Sequence, residues 1–245
     1  RIKDEELKEV ETQLAQRLPE IPNLLIEAVP DKEGDGAIVL RERGKVKQVS
    51  PKPKDHLELS EKLDLIDFDA GAKVSGSQFY YLKNEAVLLE LALIRFAIDT
   101  LHKKGFELFI TPDLVRERFY KGTGYHPKGD EAQTYEIAGQ DLGLIATAEV
   151  TMAGYHADEI FKKDELPKRY AALSHCFRKE AGAYGKYSRG LFRVHQFTKV
   201  EMFAYTTPEN SANMHEEFVA IEEEIFTALD IPYRVIVLSA EDTGS

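Results

Sequence analysis

Two runs of strand-like sequence dominate what this chain can fold into. They are Tyr170 to Arg178 and Leu191 to Tyr205, and between them lies a stretch rich in glycine and charge, Glu180 to Gly190. Long strands joined by such a loop pair most simply as antiparallel neighbours, and that predicts an α+β domain rather than a doubly wound parallel sheet. The expected fold is an antiparallel sheet flanked by helices. Neither a Walker-type phosphate loop nor a dinucleotide fingerprint occurs in the sequence. A nucleotide bound here must be held by something else.

The remaining segments supply the flanking elements. Asn84 to Lys104 reads as the strongest helix, with Val87, Leu91, Ile94, Ile98 and Leu101 on one face. Leu89, Leu93 and Phe96 add apolar surface elsewhere, so this helix is expected to be buried around most of its circumference. Phe106 to Val115 reads as a strand broken by Pro112, and Tyr135–Ile137 with Leu142–Ala146 as a hairpin around Gly139. Short strands are expected at Ala37–Leu40 and Phe79–Leu82, a last one at Tyr233–Leu238, and helices at Lys54–Leu63 and Val150–Phe161. Thr207-Pro208 starts an amphipathic helix to Leu229. Arg1 to Leu18 is a charged helix whose apolar positions Leu7, Val10, Leu14 and Leu18 step by three and four, as in a coiled-coil seam.

Composition excludes several classes. At 245 residues and 43% hydrophobic, the chain supports one sizeable core. No apolar run reaches the roughly 20 residues of a membrane span, and no basic start leads into an apolar stretch like a signal peptide. A net charge of −11 argues against a protein that coats nucleic acid, though a few placed Lys and Arg can still engage phosphates. The single cysteine, Cys176, excludes an internal disulfide framework and fits a reducing compartment. It reads as a small buried strand residue rather than a nucleophile. His102, His126 and His156 have no metal-like spacing, and no metal ligand is assigned.

The chemistry concentrates between Cys176 and Glu201. Arg178 and Glu180 are two residues apart and point to one face; Arg193, His195, Phe197, Lys199 and Glu201 share a face of the second strand. Paired strands then gather arginines, carboxylates and a phenyl ring on one surface. Arginine binds phosphate with parallel hydrogen bonds, a phenyl ring stacks on a purine, and a carboxylate accepts from an amine. The strand pattern by itself equally describes a solvated sheet face with paired charges.

The string Phe177-Arg178-Lys179-Glu180-Ala181-Gly182, joined to Arg189-Gly190-Leu191-Phe192-Arg193-Val194-His195-Gln196-Phe197-Thr198-Lys199-Val200-Glu201, resembles motif 2 of class II aminoacyl-tRNA synthetases in its seryl form. Thr147-Ala148-Glu149 resembles that family's serine loop, Gly122-Thr123-Gly124 another of its signatures, and Phe106 to Val115 its motif 1, whose proline lies at a dimer interface. The similarity runs the length of the chain. It implies that Arg178 binds the α-phosphate of ATP and the carboxylate of serine, that Glu180 accepts from adenine, that Phe197 stacks on adenine, and that Arg193 reaches the γ-phosphate. Val194 joins the implied ATP site. Thr147, Glu149 and Glu201 are implied to hold the serine amino and hydroxyl groups, with Lys186 and Arg189 in a loop that approaches the tRNA acceptor end. Arg178 and Arg193 are the implied catalytic residues.

The resemblance further implies ATP and Mg2+, serine and tRNA(Ser) as partners, a homodimer, and a cytoplasmic setting, an organellar matrix being the alternative. Residues 1–20 are expected to be the base of a tRNA-binding helical arm, and 21–245 the catalytic domain. The chain starts at Arg1 and stops at Asp242-Thr243-Gly244-Ser245, before the family's metal-binding carboxylate and motif 3, so both ends are expected to be incomplete. Tyr187 stands where relatives often carry an aspartate. Two competing readings are a ligase that hands an amino acid to a carrier protein and a non-catalytic paralogue acting as an RNA-binding dimer.

Overall fold

The computed structural model describes residues 2–18, 21, 24–27, 29–30, 37–46, 53–125, 133–180 and 190–240. The chain divides into two compact units, residues 1–46 with 226–245, and residues 47–225.

In the first unit, α1 (Ile2–Arg17) leaves its seam residues Leu7, Val10 and Leu14 exposed. β1 (Ile38–Arg43) pairs antiparallel with β9 (Tyr233–Val237), with a register shift between Val39 and Arg41. Both strands lie close to their expected positions.

The second unit is built on a three-stranded sheet. Its centre is β7 (Lys168–Phe177), which pairs antiparallel with β8 (Gln196–Tyr205) through ten residue pairs, from Lys168↔Tyr205 to Phe177↔Gln196. On the other edge β4 (Glu107–Ile110) runs parallel to β7. The long pair is antiparallel, as the sequence predicts, and β4 adds a parallel edge that makes the sheet mixed. The connection between β4 and β7 is long enough to carry helices and a hairpin, which a parallel neighbour requires.

Alternation gives the central sheet two different faces. On one, Leu101, Phe106, Ala171 and Ile221 form a core with Val200, Met202, Phe218 and Ile225. Helices α4 (Glu85–Lys103) and α7 (Pro208–Ala228) contribute Leu101 and Ile221. On the other, Ala148, Met152, Tyr170 and Ala172 pack with Phe109, Phe203 and Tyr205 beneath α6 (Ala148–Tyr155). Each fully buried large side chain contributes about 1.5–3 kcal/mol.

Smaller elements frame this unit. α2 (His56–Leu63) starts with a capping box of Asp55 and Glu58, and α3 (Phe68–Ser75) is capped by Asp67. The short strands β2 (Ile66–Asp67) and β3 (Tyr81–Leu82) pair with each other. β5 (Leu114–Val115) pairs with β6 (Gly143–Leu144) beside α5 (Glu117–Gly122). The hairpin around Gly139 forms, with Ile137 N–H donating to Leu142 O and Leu144 N–H to Tyr135 O.

Two expectations are corrected. The second long strand begins at Gln196, not Leu191, because Gly190–Phe192 forms a 3-10 turn. Gly190 has φ +73°, and a Cβ there would meet the His56 ring; Leu191 N–H donates to His56 Nε2 at 3.2 Å. The helix α4 is not buried around most of its circumference. Leu88, Leu89 and Leu91 are more than half exposed, and only Leu101 is buried. One side of the helix packs on the sheet and on α7, and the side that carries Leu88, Leu89 and Leu91 is exposed. Among those residues no helix is long and apolar enough to cross a membrane.

Candidate active site

The face of the sheet beneath α6 changes character along its length. At the Tyr170 end it is aromatic. Toward the loop, β7 presents Ala172, Ser174 and Cys176, all buried, opposite Glu201, Lys199 and Phe197 of β8. Small side chains on one strand leave space for long, polar ones on the next. Cys176 is a free, fully buried thiol whose pKa is pushed up by that burial. It is a floor residue and unsuited to nucleophilic attack.

Thr147 is the N-cap of α6, its hydroxyl accepting from Glu149 N–H at 3.3 Å. The cap brings Thr147 and Glu149 over β8. The Thr147 hydroxyl donates to Glu201 Oε2 at 2.5 Å and accepts from Lys199 Nζ at 2.6 Å. Lys199 also donates to Glu201 Oε1 at 2.8 Å, and Glu149 N–H to Glu201 Oε2 at 3.0 Å. The Thr147 side chain is fully buried and its one proton and two acceptor positions are all engaged. The groups that face the open side are the Glu149 carboxylate, Glu201 and the Lys199 ammonium.

Glu149 lies at the rim. Partial burial raises its pKa first, and the nearby Glu201 raises it further, while Lys199 opposes both. Tyr125, just beyond α5, is pushed up to about 12 by burial and then by the charge of Glu149, with Arg178, Glu201 and Cys176 also within electrostatic reach. The site thus has two carboxylates balanced by Lys199 and Arg178.

Arg178 joins this knot to a second group. Its backbone is pinned on both sides by His195: Arg178 N–H donates to His195 O at 3.0 Å, and His195 Nδ1 donates to Arg178 O at 2.8 Å. The Arg178 Nε–H donates to Ala146 O at 3.3 Å, next to Thr147, and its guanidinium lies over the Phe197 ring at 5.2 Å. Across the loop ends, Arg193 Nε is 3.1 Å from Glu180 Oε2. Glu180 has φ +50°, a left-handed backbone that turns the chain out of β7. Val194 is buried. Arg193 and His195 precede the strand rather than sharing its face. Lys186, Tyr187 and Arg189 lie outside the described residues.

Two residues of the site are not singled out by the sequence. Lys199 is there only one member of an alternating face, and its bond to Thr147 joins residues far apart in the chain with no local sign. Tyr125 directly follows the Gly122-Thr123-Gly124 signature without belonging to it, and no spacing links it to Glu149. Among the described residues no three His, Cys, Asp or Glu side chains are grouped to hold a metal ion.

This polar cluster lies beside Arg178 on one face of an antiparallel strand pair, and the fold that carries it has counterparts among known proteins. Residues 134–245 match the tRNA synthetase class II core domain of the glycyl, histidyl, prolyl, seryl and threonyl type. The chain is 55% identical over 244 residues to the serine–tRNA ligase of Rubrobacter xylanophilus, covering 99% of this chain and 58% of the relative. It is 52% identical to that of Dictyoglomus turgidum, covering 98% and 57%. A crystal structure of seryl-tRNA synthetase from Pyrococcus horikoshii complexed with ATP superposes with a TM-score of 0.92 at 41% identity, over 98% of this chain and 58% of the other. The cytoplasmic serine–tRNA ligase of Naegleria fowleri in complex with AMP gives 0.89 at 34%, with the same coverage.

The fold is that of a class II aminoacyl-tRNA synthetase core. Within that class, the chain is a homologue of the seryl-tRNA synthetases over nearly all of its length. It spans 58% and 57% of the length of the two curated relatives named.

Proposed function

We propose that the chain is the serine-activating part of a serine–tRNA ligase. The observation that carries this reading is the knot of Thr147, Lys199 and Glu201 set beside Arg178, whose guanidinium lies over Phe197. A zwitterionic amino acid fits such a recess, its ammonium toward Glu149, its carboxylate toward Arg178 and its short polar side chain toward Glu201. The nucleotide would lie along Arg178, Phe197 and Arg193, with Glu180 offering an acceptor. ATP in the Pyrococcus horikoshii relative supports that assignment.

In the proposed reaction a serine carboxylate oxygen attacks the α-phosphorus of ATP. A new P–O bond forms, the bond to the β-phosphate oxygen breaks, and pyrophosphate leaves. Seryl-adenylate then gives its acyl group to a ribose hydroxyl of tRNA, and AMP departs. The protein's work is positioning and charge neutralisation, chiefly by Arg178 and Arg193. Mg2+ would accompany the nucleotide, but the described residues offer no ligand cluster for it, and no step is assigned to it.

We further propose residues 1–20 as the base of a tRNA-binding arm, 21–245 as catalytic domain, and Lys186 and Arg189 as contacts near the acceptor end. A homodimer is the reading favoured by the exposed apolar side of α4 (Leu88, Leu89, Leu91) together with exposed Leu108 and Ile110 of β4. Sedimentation equilibrium at micromolar concentration tests it, a monomeric mass refuting it. A cytoplasmic setting suits this activity.

The activity is tested by exchange of labelled pyrophosphate into ATP, using the protein at its natural full length. Exchange is expected with serine and not with alanine, glycine or threonine. No exchange with serine would overturn the reading.

A further inference from the structure

The ammonium of Lys199 bonds Thr147 and Glu201 at once, at 2.6 and 2.8 Å. Those acceptors are ones a bound amine would otherwise seek. Thr147 is saturated by its bonds to Lys199, Glu149 N–H and Glu201, so its contribution is to hold Glu201 still. Glu201 in turn has both oxygens tied to protein donors. The floor beneath, Ala172 and Ser174, is buried and offers no further charge.

The consequence is a division of charge inside the recess. Lys199 and Glu201 form one neutral pair, half-buried on the polar face. Arg178 remains for an anionic group and Glu149 for a cationic one. Among the described residues, Tyr125 and Cys176 also lie within electrostatic reach of this group, and their raised pKa values keep both neutral near pH 7.

We propose that Lys199 is a specificity-determining residue of the amino-acid recess, cancelling the charge of Glu201 so that a side-chain hydroxyl is accepted and a side-chain ammonium of the same size is rejected. This rests on the reading of the recess as the serine site. The ammonium of 2,3-diaminopropionate, which matches serine in size, would meet Lys199 across Glu201. Like charges so placed repel, and the half-burial of Glu201 and Lys199 limits screening by water. Removing Lys199 leaves Glu201 with an uncompensated charge, and the preference should turn toward the diamine.

The test compares Lys199→Met with Lys199→Arg in pyrophosphate exchange, with serine and with 2,3-diaminopropionate as alternative substrates. In Lys199→Met, kcat/KM for serine should fall about 10- to 100-fold, as expected for lost charged hydrogen bonds. For 2,3-diaminopropionate it should hold or rise, so the ratio of the two falls at least about tenfold. KM for ATP should stay near the wild-type value. Lys199→Arg keeps the charge and should keep the wild-type ranking of the two substrates. Equal losses for both substrates in Lys199→Met would reduce Lys199 to a structural prop and overturn the proposal. So would a change of ranking in Lys199→Arg as large as in Lys199→Met. If Lys199→Met gives no cooperative melt, Lys199→Gln replaces it in the same comparison. A wild-type protein inactive with serine would instead remove the reading on which the proposal stands.

Discussion

The two faces of the β7–β8 pair are made from the same strands and differ in almost everything else. Toward α4 and α7, the pair presents Ala171, Val200 and Met202 to Leu101, Phe106 and Ile221. Toward α6, it presents Ala172, Ser174 and Cys176 against Glu201, Lys199 and Phe197. The first face gains its stability by excluding water from apolar surface. The second holds charges that must be paired to be tolerated, and the bonds among Thr147, Lys199 and Glu201 pair them. Because side chains alternate, one residue of slip in the register would exchange the faces and place Glu201 in the apolar core. The site and the core behind it therefore share one register.

The largest effect should come from Glu201→Gln, which keeps shape and removes charge. Serine-dependent exchange should fall by about 100-fold or more, with KM for ATP little changed, since charged hydrogen bonds contribute about 1.5–3 kcal/mol each. A wild-type KM for serine in this variant would break the assignment of the polar face to the amino acid. On the apolar face, Ile221→Ala should destabilise the protein by about 2–5 kcal/mol in urea unfolding. Its rate per folded molecule should match wild type, and a selective loss of serine affinity would show that the faces are less separate than described.

The smallest effect concerns the rim. Glu149 has a folded-state pKa above its ordinary 4.5. The unfolded chain therefore gives up this proton first, and stability falls as pH rises from the unfolded value through the folded one. Glu149→Gln should raise the melting temperature slightly at pH 7, a gain that disappears below about pH 4 where both states are protonated. It should at the same time weaken serine binding. An unchanged pH profile of stability would mean that the rim carboxylate is as well solvated as a free one.

Alternation makes the polar face legible in the chain itself, because Lys199 and Glu201 are two apart on one strand. The cap is also legible in part: Thr147 followed by Glu149 fits a helix start, although periodicity places the helix from Val150 and it begins at Ala148. Leu191 to His195 misleads, since apolar and basic residues alternate from Phe192 onward while Gly190 and His56 hold a turn. α4 misleads for another reason. An apolar helix surface looks the same in sequence whether its partner belongs to this chain or to another, and here much of it has no partner among the described residues.

What the sequence by itself determined is local: strands that alternate, helices with an apolar side, a capping threonine, and a run from Cys176 to Glu201 dense in phosphate- and amine-binding groups. Tertiary structure decided what those groups do to one another. It set β4 parallel to β7, placed the small residues of β7 under the long ones of β8, and joined Thr147 to Lys199 and Glu201. It also engaged the hydroxyl of Thr147 within the protein itself and left Glu149 facing outward. The physical reason is that hydrogen bonds and charge pairing act over about 3 Å in space, and the sequence distance between their partners carries no trace of that closeness.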